Sequence, residues 1–306
     1  MKVVLFCGGL GLRMQEAAPS IPKPMVPVAN RPILLNIMKY YAHFGHDDFI
    51  LCLGHKADVI KDYFLNYNEA LANDFVLSGD GRHVELLGSD IGEWRITFVD
   101  TGLHSNVGQR LRAVRKYLQG EELFLATYGD AVTDAPLPKM IANFHERGKT
   151  ASFLCVRPKS YSFHTVRLSD RQLARGIEDV TRSDMWINGG FFVFRPEIFD
   201  YIGEGEELVE EPFKRLIERE ELLAYPYEGF WAPMDTLKDK HNLEALAASG
   251  QAPWEIWTAP DGDTSTESSP PCRKSSSATS RHRAASSRSG VTRTTSRSVA
   301  AEPCFG

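Results

Sequence analysis

The chain has no Cys-x-x-Cys pair, no surplus of positive charge and no uninterrupted apolar run near the roughly 20 residues that a membrane helix needs. Each absence removes a class of function. Five cysteines, scattered as Cys7, Cys52 and Cys155 in apolar runs and Cys272 and Cys304 near the end, support neither a zinc site nor a disulfide framework. Met1-Lys2-Val3 leads into a strand instead of a signal peptide, so no membrane partner is expected and the cytoplasm is the default location. A formal net charge of −5 argues against a nucleic-acid partner, whose footprint would be basic. No Ser-His-Asp or Cys-His arrangement is evident, and His55, His104 and His145 read as solvated or capping residues.

What is present begins at the first strand. Val3-Val4-Leu5-Phe6 runs into Cys7-Gly8-Gly9-Leu10-Gly11-Leu12-Arg13, and Pro22-Lys23-Pro24-Met25 follows within a short connection. Glycines let the backbone approach an anion closely and free its N–H groups to point at phosphate oxygens. Arg13 and Lys23 add fixed positive charge. The dinucleotide fingerprint needs a third glycine where Leu12-Arg13-Met14 stands, and a P-loop needs Gly-Lys-Ser/Thr, which is missing here. A tight strand-to-helix turn would explain the glycines alone but not a lysine bracketed by prolines, so the segment reads as a triphosphate cradle.

With 306 residues, 42% of them hydrophobic, the chain has material for a large α/β core. Helical periodicity over 32–44 and a buried strand at 49–53 complete a βαβ unit. A second helix is expected over 57–71. Short strands at 74–77, 83–87 and 94–100, separated by Ser78-Gly79-Asp80-Gly81, suggest a small antiparallel insertion. Further helices are expected at 106–118, 139–147 and 212–220, with strands at 122–127, 151–156 and 188–194 and a twisted set of short strands over 163–180. The expected fold is a mostly parallel Rossmann-like sheet with helices on both faces, binding ligands at the carboxyl ends of its strands. The domain is expected to span 1–258. Residues 259–306, rich in Ser, Thr, Arg and Pro with almost nothing apolar, are expected to form a disordered tail without assigned function.

Two acids are candidate metal ligands. Asp130 follows Tyr128-Gly129 at the end of an apolar strand, and Asp235 follows Gly229-Phe230-Trp231-Ala232-Pro233-Met234. Each alone reads equally well as a cap or turn residue, Asp235 in particular as the cap of a helix beginning near Thr236. Mg²⁺ prefers hard oxygen ligands and often takes only one or two carboxylates, completing its shell with phosphates and water. Attack at the α-phosphorus of a nucleoside triphosphate needs in-line positioning, a cation on the phosphates and neutralisation of the departing pyrophosphate. Arg13, Lys23, Asp130 and Asp235 could supply that set.

The stretches Gly8-Gly9-Leu10-Gly11-x-Arg13, Pro22-Lys23-Pro24-Met25, Val99-Asp100-Thr101-Gly102, Thr127-Tyr128-Gly129-Asp130, Ile187-Asn188-Gly189-Gly190, Gly229-Phe230-Trp231-x-Pro233-Met234-Asp235-Thr236 and Ala252-Pro253-Trp254-x-x-Trp257 together resemble the sugar-1-phosphate nucleotidyltransferases. Their cytidylyl-transferring members are the nearest in pattern. The resemblance implies a GT-A-like nucleotidyltransferase fold, a homo-oligomer, and transfer of CMP from CTP to glucose 1-phosphate with release of pyrophosphate. It places the triphosphate on Gly8, Gly9, Leu10, Gly11, Leu12 and Arg13, with Lys23 neutralising it. Mg²⁺ falls to Asp130 and Asp235, a nucleotide contact to Arg110, and the substrate pocket to Tyr128, Gly129, Glu178, Asn188 and Gly189.

Two positions depart from the family pattern. Leu12 stands where a Thr or Ser hydroxyl usually precedes the arginine. In Glu178-Asp179-Val180, Asp179 replaces the lysine of a Glu-Lys-Pro motif, so Arg175 or Arg182 would have to supply that charge. The residues leave three readings standing: a nucleotidyltransferase, of this or another base and sugar, a non-catalytic nucleotide-sugar sensor, and a glycosyltransferase. The last would be expected to carry an Asp-x-Asp motif, which is not found at the metal position.

Overall fold

Strands buried on both faces must be apolar throughout, and this chain supplies a run of them. In the computed structural model, which describes residues 1–9, 11, 20–158 and 164–258, seven strands build one sheet: β1 (Lys2–Phe6), β2 (Asp48–Leu53), β3 (Arg95–Asp100), β4 (Phe124–Tyr128), β5 (Ala151–Val156), β6 (Ile187–Phe194) and β7 (Leu222–Tyr227). Their order is β7-β5-β6-β4-β1-β2-β3. All neighbours pair parallel except β6, which runs against both β4 and β5. The reversal has a direct consequence: β6 presents its first residues, Ile187 and Asn188, at the edge where the other strands end.

Side chains alternate faithfully across this sheet. Val3 and Leu5 join one core with Phe49, Leu51 and Leu53, while Val4 and Phe6 join the other with Ile50 and Cys52. Over the first face pack α1 (Ile33–His43), α2 (Ala57–Leu65), α4 (Leu137–Arg147) and α6 (Leu237–Ala248); over the second pack α3 (Val107–Val114) and α5 (Glu211–Glu218). The expected α/β class with helices on both faces is thus observed. Trp254, fully buried against Phe230, closes the first core near its end. Contacts group Met1–Pro260 as one compact unit.

Several expectations need correction. The helix expected over 57–71 stops at Leu65, because Asn66 caps it and Asn68, accepting from the Ala70 N–H, starts a separate turn at Glu69–Ala72. The segment expected at 94–100 as part of the insertion is β3, pairing parallel with β2 at the sheet edge. Only Phe75–Ser78 and His83–Leu86 form the antiparallel hairpin. The twisted strands expected over 163–180 are a second hairpin, His164–Leu168 with Ala174–Asp179. β7 was not foreseen. Leu10, Leu12, Arg13 and the segment 259–306 lie outside the described residues.

Candidate active site

The glycine loop leaves β1 at the carboxyl edge of the sheet. Cys7 still donates its N–H to the Cys52 carbonyl at 3.0 Å, and Gly8 is buried immediately after it. Gly9 lies exposed, with open space where a side chain would stand, and Gly11 adopts φ +60°, a left-handed conformation that glycine takes without strain. The loop is braced from behind. Arg110 of α3, only 3% exposed, donates from Nη2 to the Gly8 carbonyl at 2.9 Å and from Nη1 to the Leu53 carbonyl at 3.0 Å and Thr101 Oγ1 at 2.7 Å. Burial pulls its pKa below the usual arginine range, against the counter-pull of Cys52, Cys7 and Asp100. Arg110, expected to contact the nucleotide, here bonds the backbone that carries the loop. Gly54, unnoticed in the sequence, shares this packing, since a Cβ there would meet the Gly8 carbonyl oxygen at 2.8 Å.

Lys23 opens a single 3-10 turn, Lys23–Met25, between Pro22 and Pro24. Proline on both sides fixes the backbone, so the ammonium is aimed by side-chain torsions alone. It donates to Asp130 Oδ2 at 2.6 Å and to Asp235 Oδ1 at 2.5 Å. Burial by itself would lower its pKa, but the two carboxylates outweigh that and hold it above the ordinary lysine value. The ammonium is charged at any physiological pH.

What brings two acids so distant in sequence to one point is a small ribbon. Ala131–Thr133 pairs antiparallel with Trp231–Pro233, Ala131 opposite Pro233, and the Met234 N–H donates to the Asp130 carbonyl at 2.8 Å. Asp235 does not cap the following helix. Thr236 does, in a reciprocal box with Asp239, while the Asp235 carboxylate accepts from Lys23. Gly129 before Asp130 is closely packed: a Cβ there would crowd the Pro24 ring at 3.2 Å and the Phe6 carbonyl at 3.3 Å.

Two cavities meet at Asp130. The first, about 170 Å³, is lined by Gly9, Gly11, Lys23, Pro24 and Gly129 over the buried Cys7. Burial pushes the Cys7 thiol well up, so it stays protonated and is no nucleophile. The second, about 470 Å³, is lined by Tyr128, Ile187, Asn188, Trp231, Pro233 and Asp235. Its floor depends on an irregularity in β6, where Gly190 and Phe191 both have positive φ, +75° and +50°, and the register with β5 shifts. Asn188 anchors that bulge by accepting from the Gly190 N–H at 2.9 Å, and its amide approaches the Tyr128 hydroxyl at 3.4 Å. Burial raises the Tyr128 pKa, which keeps the phenol a hydrogen-bond donor. Gly189 lies beneath the wall and accepts from Trp231 Nε1 at 2.8 Å; Trp231 was quoted in the sequence only as part of a motif.

Of the sequence-derived candidates, Gly9, Gly11, Lys23, Tyr128, Gly129, Asp130, Asn188 and Asp235 line these joined cavities, and Gly8 and Gly189 support them. Glu178 lines neither. It sits in the second hairpin opposite Thr165, its carboxylate 3.9 Å from Arg167. Asp179 caps the turn after that hairpin, accepting from the Thr181 N–H at 2.8 Å and the Thr181 hydroxyl at 2.7 Å. Among the described residues no group of three or more His, Cys, Asp or Glu side chains forms a metal cage. No helix among them is long and apolar enough to cross a membrane.

Comparison with known proteins places the chain in a family. The family description "Nucleotidyl transferase" matches residues 2–242. The chain is 40% identical over 260 residues to a glucose-1-phosphate cytidylyltransferase of Salmonella typhi, covering 84% of this chain and 100% of the relative. It is 26% identical over 250 residues to a mannose-1-phosphate guanyltransferase of Kluyveromyces lactis, covering 78% of this chain and 62% of that one. Among solved structures, a UTP-bound UGPase from Acinetobacter baumannii superposes with a TM-score of 0.59 at 19% identity, covering 80% of this chain and 92% of the other, a likeness of fold.

Proposed function

This chain belongs to the nucleotidyl transferase family, and we propose that it transfers CMP from CTP to glucose 1-phosphate, giving CDP-glucose and pyrophosphate. The observation that carries the reading is the junction of the two cavities, where Lys23, Asp130 and Asp235 converge. The full-length similarity to a relative named for this reaction supplies the base and the sugar.

In this reading the loop amides of Gly9 and Gly11, together with Leu10, Leu12 and Arg13, receive the triphosphate. Lys23 and Arg13 neutralise the charge that builds on the departing pyrophosphate. A phosphate oxygen of glucose 1-phosphate attacks the α-phosphorus in line, the new O–P bond forming as the bond to the β-phosphate bridging oxygen breaks. Tyr128 and Asn188, with Trp231 as an apolar wall, hold the sugar phosphate in the larger cavity. Glu178 completes the sugar end only if its hairpin approaches. Family members use a divalent cation, which we take to be Mg²⁺. The residues fit it: two hard carboxylates already converge on one cation, the Lys23 ammonium, and leave the rest of a shell to phosphates and water. Asp130 and Asp235 would hold it, and when bound it would neutralise developing phosphate charge.

We place the activity in residues 1–258, in a homo-oligomer in the cytoplasm, a location in keeping with the free thiols of Cys7, Cys52 and Cys155. The test is a panel of nucleoside triphosphates and sugar 1-phosphates with Mg²⁺, read by pyrophosphate release. CTP with glucose 1-phosphate should be turned over fastest, and Asp130→Asn should abolish turnover without altering the folded far-UV signal. Silence across the panel would sink the assignment.

A further inference from the structure

Lys23 touches both halves of the site at once. Its ammonium is bonded to Asp130 and Asp235, yet the same side chain lines the cavity of the glycine loop. The root of the side chain is fixed, with Pro22 and Pro24 on either side and the Gly11 backbone against its Cβ, at 3.2 Å from where a Gly11 Cβ would stand. The charged end is therefore the movable part. The whole Lys23 side chain is 13% exposed, against 30% and 32% for the side chains of the two acids, so the group is partly screened from water.

We propose that Lys23 competes with the divalent cation for Asp130 and Asp235, and releases them when a triphosphate in the glycine-loop cavity offers its ammonium other anionic partners. The inference rests on the reading of these acids as cation ligands. The ammonium already offsets part of the charge on the two carboxylates, and a doubly charged ion entering beside it would be repelled by that ammonium at contact range. A triphosphate in the neighbouring cavity removes that conflict by drawing the ammonium a side chain's swing away. Cation and nucleotide then strengthen each other's binding by the same factor, as linkage requires. Lys23 thus acts as a positioning residue for the acids as well as a neutralising charge for the leaving group, and the metal is admitted together with the nucleotide.

The experiment titrates Mn²⁺ alone, by calorimetry or by the free-ion paramagnetic signal, into the full-length wild type, Lys23→Met and Lys23→Arg. Lys23→Met should bind Mn²⁺ about tenfold or more tightly than wild type, within the usual coupling range of about 5- to 150-fold. Lys23→Arg keeps a cation between the acids and should stay near wild type. Adding Asp130→Asn to Lys23→Met should erase the gain. Should Lys23→Met fail to melt cooperatively, Lys23→Gln carries the same expectation. Mn²⁺ affinity in the neutral variant no higher than in wild type, or a gain that survives Asp130→Asn, overturns the competition. The reaction is judged separately: pyrophosphate release by wild type with no gain in the neutral variant refutes only the competition, and a gain without pyrophosphate release refutes only the reaction.

Discussion

Arg110 carries a charge into the interior and spends it on oxygens of the main chain. Its planar fork reaches Gly8, Leu53 and Thr101 together, which the single ammonium of a lysine would not do in the same geometry. Replacing it leaves buried acceptors unpaired, at about 1–3 kcal/mol for such groups. Arg110→Gln should therefore lower stability in denaturant by roughly 2–3 kcal/mol and raise KM for the nucleotide more than for the sugar phosphate. An unchanged nucleotide KM would show that the loop does not need its brace. Lys23, Asp130 and Asp235 were legible in the sequence because their residue types and flanking prolines and glycines announce charge on fixed backbone. The bracing by Arg110 was not, because an arginine in a polar-looking helix gives no sign of being buried until α3 is packed against the sheet.

At the level of elements, β6 carries backbone strain beside the larger cavity. A non-glycine residue at φ +50°, Phe191, follows Gly190 at +75°, and the bulge they make turns Asn188 toward Tyr128. A Cβ at Gly190 would lie 2.9 Å from the Tyr128 ring, in a conformation that side chains rarely adopt. Gly190→Ala should cost about 1–3 kcal/mol and weaken glucose 1-phosphate binding while sparing that of CTP; equal weakening of both would show a general loosening instead. The apolar runs of β1, β2, β4 and β5 were readable because continuous burial leaves a continuous pattern. β7 escaped for the opposite reason. It lies at the sheet edge, half-buried residues alternate with exposed ones, and it tolerates Pro226, a residue that argues against a central strand. The parallel pairing of β3 likewise depends on a crossover that no local pattern records.

Across the whole molecule, apolar side chains are unevenly placed. The hairpin Phe75–Ser78 and His83–Leu86 is exposed along both strands, with Leu77 56% and Val84 47% exposed, and an isolated two-stranded hairpin is marginal in water. A second copy covering it would explain both facts. Sedimentation of the full chain should give a particle heavier than the 34.3 kDa protomer, and Leu77→Lys with Val84→Glu should shift it towards that mass. A wild-type protein that sediments as a monomer would rule the oligomer out.

The little ribbon that joins Asp130 to Asp235 also sets a schedule. Lys23 and Asp235 are 212 residues apart, so a nascent chain can finish its glycine loop and much of its sheet while still owning half a binding place for the cation. Only when translation has passed Trp231–Pro233 can that strand zip onto Ala131–Thr133 and bring the last acid home. Until that pairing forms, Asp130 and Lys23 lack the second carboxylate that meets them in the folded protein.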